Sequence, residues 1–143
     1  MKMIQIENEP MTKDSSHHAR ALVLDDDPAI CKMLSKLLIR LNFDVVCTFQ
    51  GKQAMAEYRK AKYIAEGFDV VILDLIIPGD MGGEETFRHI FEFDPKVRAI
   101  VSSGYSKNPI MSNYQNYGFR AALPKPYNFS ELREVIEEIM QVS

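Results

Sequence analysis

The chain predicts a doubly wound α/β domain, a parallel sheet with helices on both faces. Short apolar runs recur near Ala21–Leu24, Phe43–Phe49, Phe68–Asp74, Val97–Ser102 and Phe119–Leu123. Several are continuous rather than alternating, as in strands buried on both faces. Between them lie stretches with apolar residues at helical spacing. Residues that carry chemistry, namely Asp25-Asp26-Asp27, Asp74, Ser103 and Lys125, stand at the ends of four of the five runs. Strands and helices in strict alternation imply parallel strands joined by helical crossovers.

The elements follow in order. Ala21–Leu24 is the first strand, and Asp27 before Pro28 reads as an N-cap with proline at the first helical position. Ile30, Met33, Leu34, Leu37, Leu38 and Leu41 form the apolar stripe of the helix, which Asn42 closes. After the second strand, Gly51 opens a helix with Ala54, Tyr58, Ala61 and Ala65 on one face, and Gly67 is expected just beyond its end. The third strand runs to Asp74. The loop Pro78–Gly83, expected to be mobile because of its three glycines, leads to a helix with Phe87, Ile90 and Phe91 that Asp94-Pro95 ends. The fourth strand precedes a short helix marked by Ile110, Tyr114 and Tyr117 and ending at Gly118. After the fifth strand, Asn128 and Glu131 suggest a capping box for the last helix, whose stripe is Leu132, Val135, Ile136, Ile139 and Met140.

With 143 residues and 46% hydrophobic content, the chain can bury one core. Residues 1–18 read as a tail or linker and residues 19–143 as the folded domain, leaving no room for a second one. Within the tail, Met3–Ile6 could pair as a short strand. The adjacent His17 and His18 read as inert, because metal sites need ordered ligands and a second shell. No run approaches the roughly 20 apolar residues of a membrane span, and the first residues lack the apolar middle of a signal peptide. The expectation is a cytoplasmic protein with no membrane contact. A net charge of -3 offers no basic surface for direct nucleic acid contact. Cys31 and Cys47 fall inside apolar patterns and read as reduced, buried thiols, with a bridge between them as the alternative.

All strands of a doubly wound sheet point their carboxyl ends one way, so Asp25, Asp26, Asp74, Ser103 and Lys125 are expected at one edge, where such folds bind ligands. Clustered carboxylates repel and call for a divalent cation. The available ligands are hard oxygens, which favours Mg2+ over zinc. A cation beside a carboxylate, a hydroxyl and an ammonium suits phosphoryl transfer, with Asp74 as nucleophile and Lys125 neutralising phosphoryl oxygens. Asp27 reads as a cap rather than a metal ligand, and Asp80 as a solvated turn residue. His89, among Glu85, Arg88 and Glu92, reads as exposed. Phe129 is expected in the core, while Tyr127 is open between core and partner surface.

Four motifs in order resemble the receiver domains of two-component response regulators: Leu22-Val23-Leu24-Asp25-Asp26, Leu73-Asp74-Leu75 with Pro78 and Gly83, Ser102-Ser103-Gly104, and Leu123-Pro124-Lys125-Pro126. The resemblance covers roughly residues 19–142. It implies a flavodoxin-like five-stranded sheet of order 2-1-3-4-5 with five helices. It also implies that Asp74 accepts the phosphoryl group, that Asp25, Asp26, Asp74 and the main-chain carbonyl of Ile76 hold Mg2+, and that Ser103 and Lys125 are the switch hydroxyl and phosphate-binding lysine. A cis Lys125-Pro126 bond is implied too. No organic cofactor is expected. The implied partners are a sensor or hybrid histidine kinase or a phosphotransfer protein, with an effector on another chain; a homodimer is compatible. Such a domain is a signalling switch that assists its own phosphorylation and dephosphorylation, not an enzyme.

Three features depart from the pattern or qualify it. Ala122 stands where many receivers carry an aromatic rotor. The Pro78–Gly83 loop is one residue longer than usual and, with the Ser-Gly-Tyr and Leu-Pro-Lys-Pro-Tyr phrases, resembles receivers attached to hybrid histidine kinases. Ile76 and Tyr105 are expected to flank the phosphate and to shield it from water. Two other classes stay open. A phosphate-ester hydrolase would want an acid where Ile76 stands, and a phosphorylation-independent adaptor would lack a site residue.

Overall fold

The computed structural model describes residues 19–141. The expected tail at 1–18, with its Met3–Ile6 pairing and His17–His18 pair, and residues 142–143 lie outside the described residues. Five strands, β1 (Ala19–Leu24), β2 (Phe43–Thr48), β3 (Val70–Asp74), β4 (Ala99–Ser103) and β5 (Ala121–Pro124), form one parallel sheet in the order β2-β1-β3-β4-β5. Five helices connect them: α1 (Pro28–Arg40), α2 (Gly51–Tyr63), α3 (Gly83–Phe93), α4 (Pro109–Ser112) and α5 (Phe129–Gln141). This is the flavodoxin-like arrangement, and its strand order matches the expected one.

The apolar strands feed two cores, because successive side chains face opposite sides of the sheet. Leu22 and Leu24 of β1 join Ala54, Tyr58, Phe87 and Ile90, under α2 and α3. Ala21 and Val23 join Leu34, Leu38, Leu132, Ile136 and Ile139, under α1 and α5. Burying one such aliphatic side chain is worth about 2 kcal/mol, so a slip of one residue would exchange both cores and is strongly opposed.

Local signals hold at several ends. The Asp27 carboxylate accepts the Ala29 amide at 2.9 Å, capping α1. Asn42 takes a left-handed φ of 71° after that helix. Asn128 and Glu131 exchange side-chain to backbone bonds at 2.9 and 2.8 Å, a complete capping box on α5. Tyr58 donates its hydroxyl to Asp94 at 2.7 Å, and Lys62 pairs with the same carboxylate at 3.3 Å, tying α2 to the end of α3. Burial would raise the Asp94 carboxyl. The Tyr58 hydroxyl, the Lys96 amide and the Lys62 ammonium overcome it and hold Asp94 below the usual range.

Other expectations need correction. Helix α2 ends at Tyr63, and the left-handed residue after it is Ala65, with φ 62°, not Gly67. The Glu66 amide bonds Ala61 at 2.8 Å and the Ala65 amide bonds Lys62 at 3.2 Å, a double bond set that closes the helix two residues early. Ala65 is therefore exposed rather than on the buried face. The fourth helix is a single turn, broken at Asn113 and continued by a 3-10 turn over Tyr114–Tyr117. Phe129 is not in the core: the guanidiniums of Arg40 and Arg133 lie 3.8 and 5.7 Å from its ring centre. Tyr127 packs partly buried against the α1/α5 core.

An alanine held at positive φ carries a steric cost that glycine avoids. Ala65→Gly is expected to stabilise the fold by about 1 kcal/mol, read from the urea midpoint. A lower midpoint would contradict the closure described for α2.

Candidate functional site

Register brings the chemistry together. Leu24 pairs with Leu73 and with Thr48, Asp74 with Ser102, and Ser103 with Pro124. The residues at or just beyond these pairs, Asp25, Asp26, Asp74, Ser103 and Lys125, thus converge at the carboxyl edge from four strands. Carboxylate oxygens of Asp25, Asp26 and Asp74 all lie within 4.8 Å of one another. Asp25 and Asp74 are buried, at 3% and 8% exposure, while Asp26 faces solvent.

The Lys125 ammonium sits between the two buried carboxylates, 2.6 Å from Asp25 Oδ2 and 3.3 Å from Asp74 Oδ2. It reaches them from just beyond the end of β5, and the Lys125-Pro126 bond that follows is cis. Burial works against its charge, but its bonds to Asp25 and the field of Asp74 prevail and hold Lys125 above the ordinary lysine value. Burial pushes Asp74 above the usual carboxylate range, and Lys125 only partly offsets it, since the ammonium lies closer to Asp25. The cluster therefore carries negative charge in excess of its one buried cation. Three oxygen ligands so placed fit a hard divalent ion.

Orientation comes from neighbours. The Asp27 amide donates to Asp25 Oδ1 at 3.0 Å, so the residue that caps α1 also aims a ligand. The Asp25 amide bonds the Thr48 carbonyl at 3.1 Å, and the Thr48 hydroxyl donates to Val23 at 2.7 Å. The Ile76 amide lies 3.4 Å from Asp74 Oδ1, at the limit of a hydrogen bond. Ser103 is buried, and its oxygen accepts the Tyr105 amide at 3.0 Å, leaving its own O–H as a donor. Ile76 and Tyr105, 52% and 61% exposed, stand after Asp74 and Ser103 on the open side.

Sequence reasoning assigned no bonding role to Thr48 or to Ser102. The Ser102 hydroxyl donates to the Leu123 carbonyl at 2.8 Å, pinning β5 to β4 just before Lys125. A hydroxyl ending an apolar run was the only signal, and it resembles any strand-end residue. The glycines of the β3–α3 loop have a packing role. A Cβ on Gly82 would lie 2.3 Å from the Leu75 carbonyl oxygen, and one on Gly83 would lie 2.6 Å from that of Asp74. Their bare backbones let α3 start directly on the strand that carries Asp74. His89 is exposed on α3, 3.9 Å from Glu85, and Asp80 is exposed in the loop. Both are apart from the cluster.

The family model described as the response regulator receiver domain matches residues 21–137. Over 123 residues the chain is 30% identical to the Arabidopsis thaliana two-component response regulator ARR11, covering 85% of this chain and 22% of that protein. It is 27% identical over 119 residues to the transcriptional regulatory protein ZraR of Escherichia coli (strain K12), covering 83% of this chain and 26% of that one. The chain thus spans roughly a quarter of the length of these curated relatives. The CheY-like response regulator receiver domain protein of Methanospirillum hungatei JF-1 superposes with a TM-score of 0.77 at 26% identity, over 87% of this chain and 95% of that one. The response regulator TrrA of Thermotoga maritima, solved in complex with Mg(2+)-BeF, gives 0.71 at 26% identity, over 85% and 98%. No helix among the described residues is long and apolar enough to cross a membrane.

Removing the shared cation leaves two buried carboxylates facing each other. Lys125→Met is expected to destabilise the metal-free protein by about 3 kcal/mol, measured by urea denaturation. An unchanged midpoint would show that water, not Lys125, compensates this charge.

Proposed function

Since the chain belongs to the response-regulator receiver family of two-component signalling, a signalling switch rather than a classical enzyme, we propose that Asp74 is its phosphoacceptor in a histidine-to-aspartate phosphorelay. The observation that carries this reading is Asp74 at the end of β3, within 4.8 Å of Asp25 and Asp26 oxygens and 3.3 Å from the Lys125 ammonium. A partner kinase or phosphotransfer protein presents a phosphohistidine. An Asp74 oxygen attacks phosphorus, the N–P bond breaks, and the imidazole leaves with its electron pair.

The acidic cluster fits Mg2+, which Asp25, Asp26, Asp74 and the Ile76 carbonyl would hold. When bound, Mg2+ neutralises the charge that gathers on the phosphoryl oxygens. The chain's own groups do the rest. Lys125, whose ammonium lies 2.6 Å from Asp25 and 3.3 Å from Asp74, would turn to a phosphoryl oxygen. The Ser103 O–H donates to another. Drawing these two groups inward shifts a pre-existing equilibrium of β4, β5 and their helices toward a state that an effector on another chain recognises. Ala122 cannot swing inward as an aromatic ring would, so the shift runs through backbone and packing. The domain works in the cytoplasm and assists its own phosphorylation and dephosphorylation.

Acetyl phosphate with Mg2+ is expected to add one phosphoryl group to the native chain and none to Asp74→Asn, by intact mass, with EDTA abolishing the reaction. An adduct on both proteins would sink the assignment. Ile76 and Tyr105 shield the acyl phosphate from water. Replacing both with alanine is expected to shorten its lifetime about tenfold, a barrier change near 1.4 kcal/mol. An unaltered decay rate would remove them from that role.

A further inference from the structure

The far end of α2 takes no part in phosphoryl transfer, yet it presents a formed groove. Helices of a doubly wound sheet run back against the strands, so α2 finishes at the amino edge, opposite Asp74. Arg20, the second residue of β1, fixes that end: its amide donates to Asp69 Oδ2 at 2.7 Å and its guanidinium to the Glu66 carbonyl. Ala56, Arg59, Lys60 and Tyr63 recur three, four and seven positions apart, as one stripe of the helix. With Phe93 of α3 they line a groove of about 460 Å³. Large rings are left open there, Tyr63 at 88% exposure and Phe93 at 40%. The walls are held in place. Tyr58 and Lys62 both bond Asp94, the residue after Phe93, and the Arg59 guanidinium lies 5.2 Å from the centre of the Phe93 ring.

We propose that this groove docks an acidic segment of a partner protein, one that carries an aliphatic or aromatic anchor among its carboxylates. Charge complementarity names the occupant. The chain as a whole has a net charge of -3, yet two cations and no carboxylate line the groove. Lys62 is spent on Asp94, whereas neither Arg59 nor Lys60 is in a salt bridge among the described residues. The anchor sits over the small Ala56, between the Tyr63 and Phe93 rings, and leaves water there. Arg59 serves both parts of the segment, since a guanidinium lies against a ring and still binds a carboxylate along its edge. Lys60 supplies a second charge on the same stripe. Because the Asp94 bonds already fix α2 against α3, docking orders little of the protein and loses little affinity to that cost. The groove stands at the opposite edge of the sheet from Asp25, Asp26 and Asp74. Docking is therefore independent of what happens at Asp74, and the proposal does not rest on the phosphoacceptor reading.

The test is fluorescence anisotropy of the full chain with a labelled peptide in which one leucine stands among aspartates and glutamates. The native chain is expected to bind it, and Asp74→Asn to bind it equally. Lys60→Glu, which turns attraction into repulsion, is expected to weaken binding about tenfold. Ala56→Trp, which fills the groove and keeps its charge, is expected to weaken it by a similar factor. Both positions are exposed, so both variants are expected to fold, and circular dichroism checks that they do. A peptide with serine in place of the leucine is expected to lose most of the affinity. If it binds as well as the first, only a diffuse field of cations is at work and the groove is overturned. Failure of the native chain to bind, or equal binding by both variants, overturns it too. Tighter binding of a single-stranded DNA oligomer than of the peptide would assign the surface to nucleic acid. Self-association that Ala56→Trp abolishes, without peptide binding, would assign it to a second copy. Either result overturns the acidic segment as occupant.

Discussion

Buried negative charge at one edge of the sheet is the constraint that the rest of this structure answers to. Asp25 and Asp74 are almost out of water and share a single ammonium. Two carboxylates so placed are tolerated only when their surroundings are held to within a fraction of an ångström of the right geometry. Much of the local architecture serves that end. The Thr48 carbonyl holds the Asp25 backbone, the Asp27 amide turns its carboxylate, and the Ser102 hydroxyl fastens β5 where Lys125 departs. A shift in any one strand would strand a charge, so the register of the sheet and the site enforce each other.

That arrangement also explains why α3 begins where it does. Gly82 and Gly83 rest on the carbonyls of Leu75 and Asp74, with no room for a side chain. Further along α3, Phe87 stacks on Phe119 at 4.4 Å, and Gly118 at φ 94° admits the edge of the Phe87 ring. The helix therefore bridges the strand of Asp74 and the approach to β5 through rigid aromatic packing. The buried Thr86 hydroxyl, in the same seat beside Gly51, has no hydrogen-bond partner among the described residues. The stacking of Phe87 on Phe119 joins the helix that follows Asp74 to the approach to β5.

Signals confined to a few neighbouring residues were legible. Asp27 before Pro28, Asn42 after the apolar stripe and the Asn128/Glu131 pair acted as their local chemistry implies, because each bonds within one turn of itself. Gly67 misled because helix closure is decided by which carbonyls the last amides reach, and Ala65 and Glu66 reached Lys62 and Ala61 first. Phe129 misled because an aromatic at a helix start can be covered by arginines instead of core side chains, and Arg40 comes from α1, 89 positions earlier in the numbering. The bonds of Thr48 and Ser102 were not legible for the same reason: their acceptors, Val23 and Leu123, lie on neighbouring strands.

By itself, the sequence determined the alternation of strands and helices, the two-sided burial of the sheet and the identity of the groups at its carboxyl edge. Hydrophobic period and strand-end position are properties of short stretches, and they survive without knowledge of contacts. Only the tertiary structure decided which groups are coupled: that Lys125 pairs more closely with Asp25 than with Asp74, that Asp26 alone of the three carboxylates faces water, and that the Cys47 thiol reaches the Cys31 main-chain carbonyl. Charge pairing and thiol contact depend on distances between residues remote in the chain. Those distances exist only once the strands have taken their register.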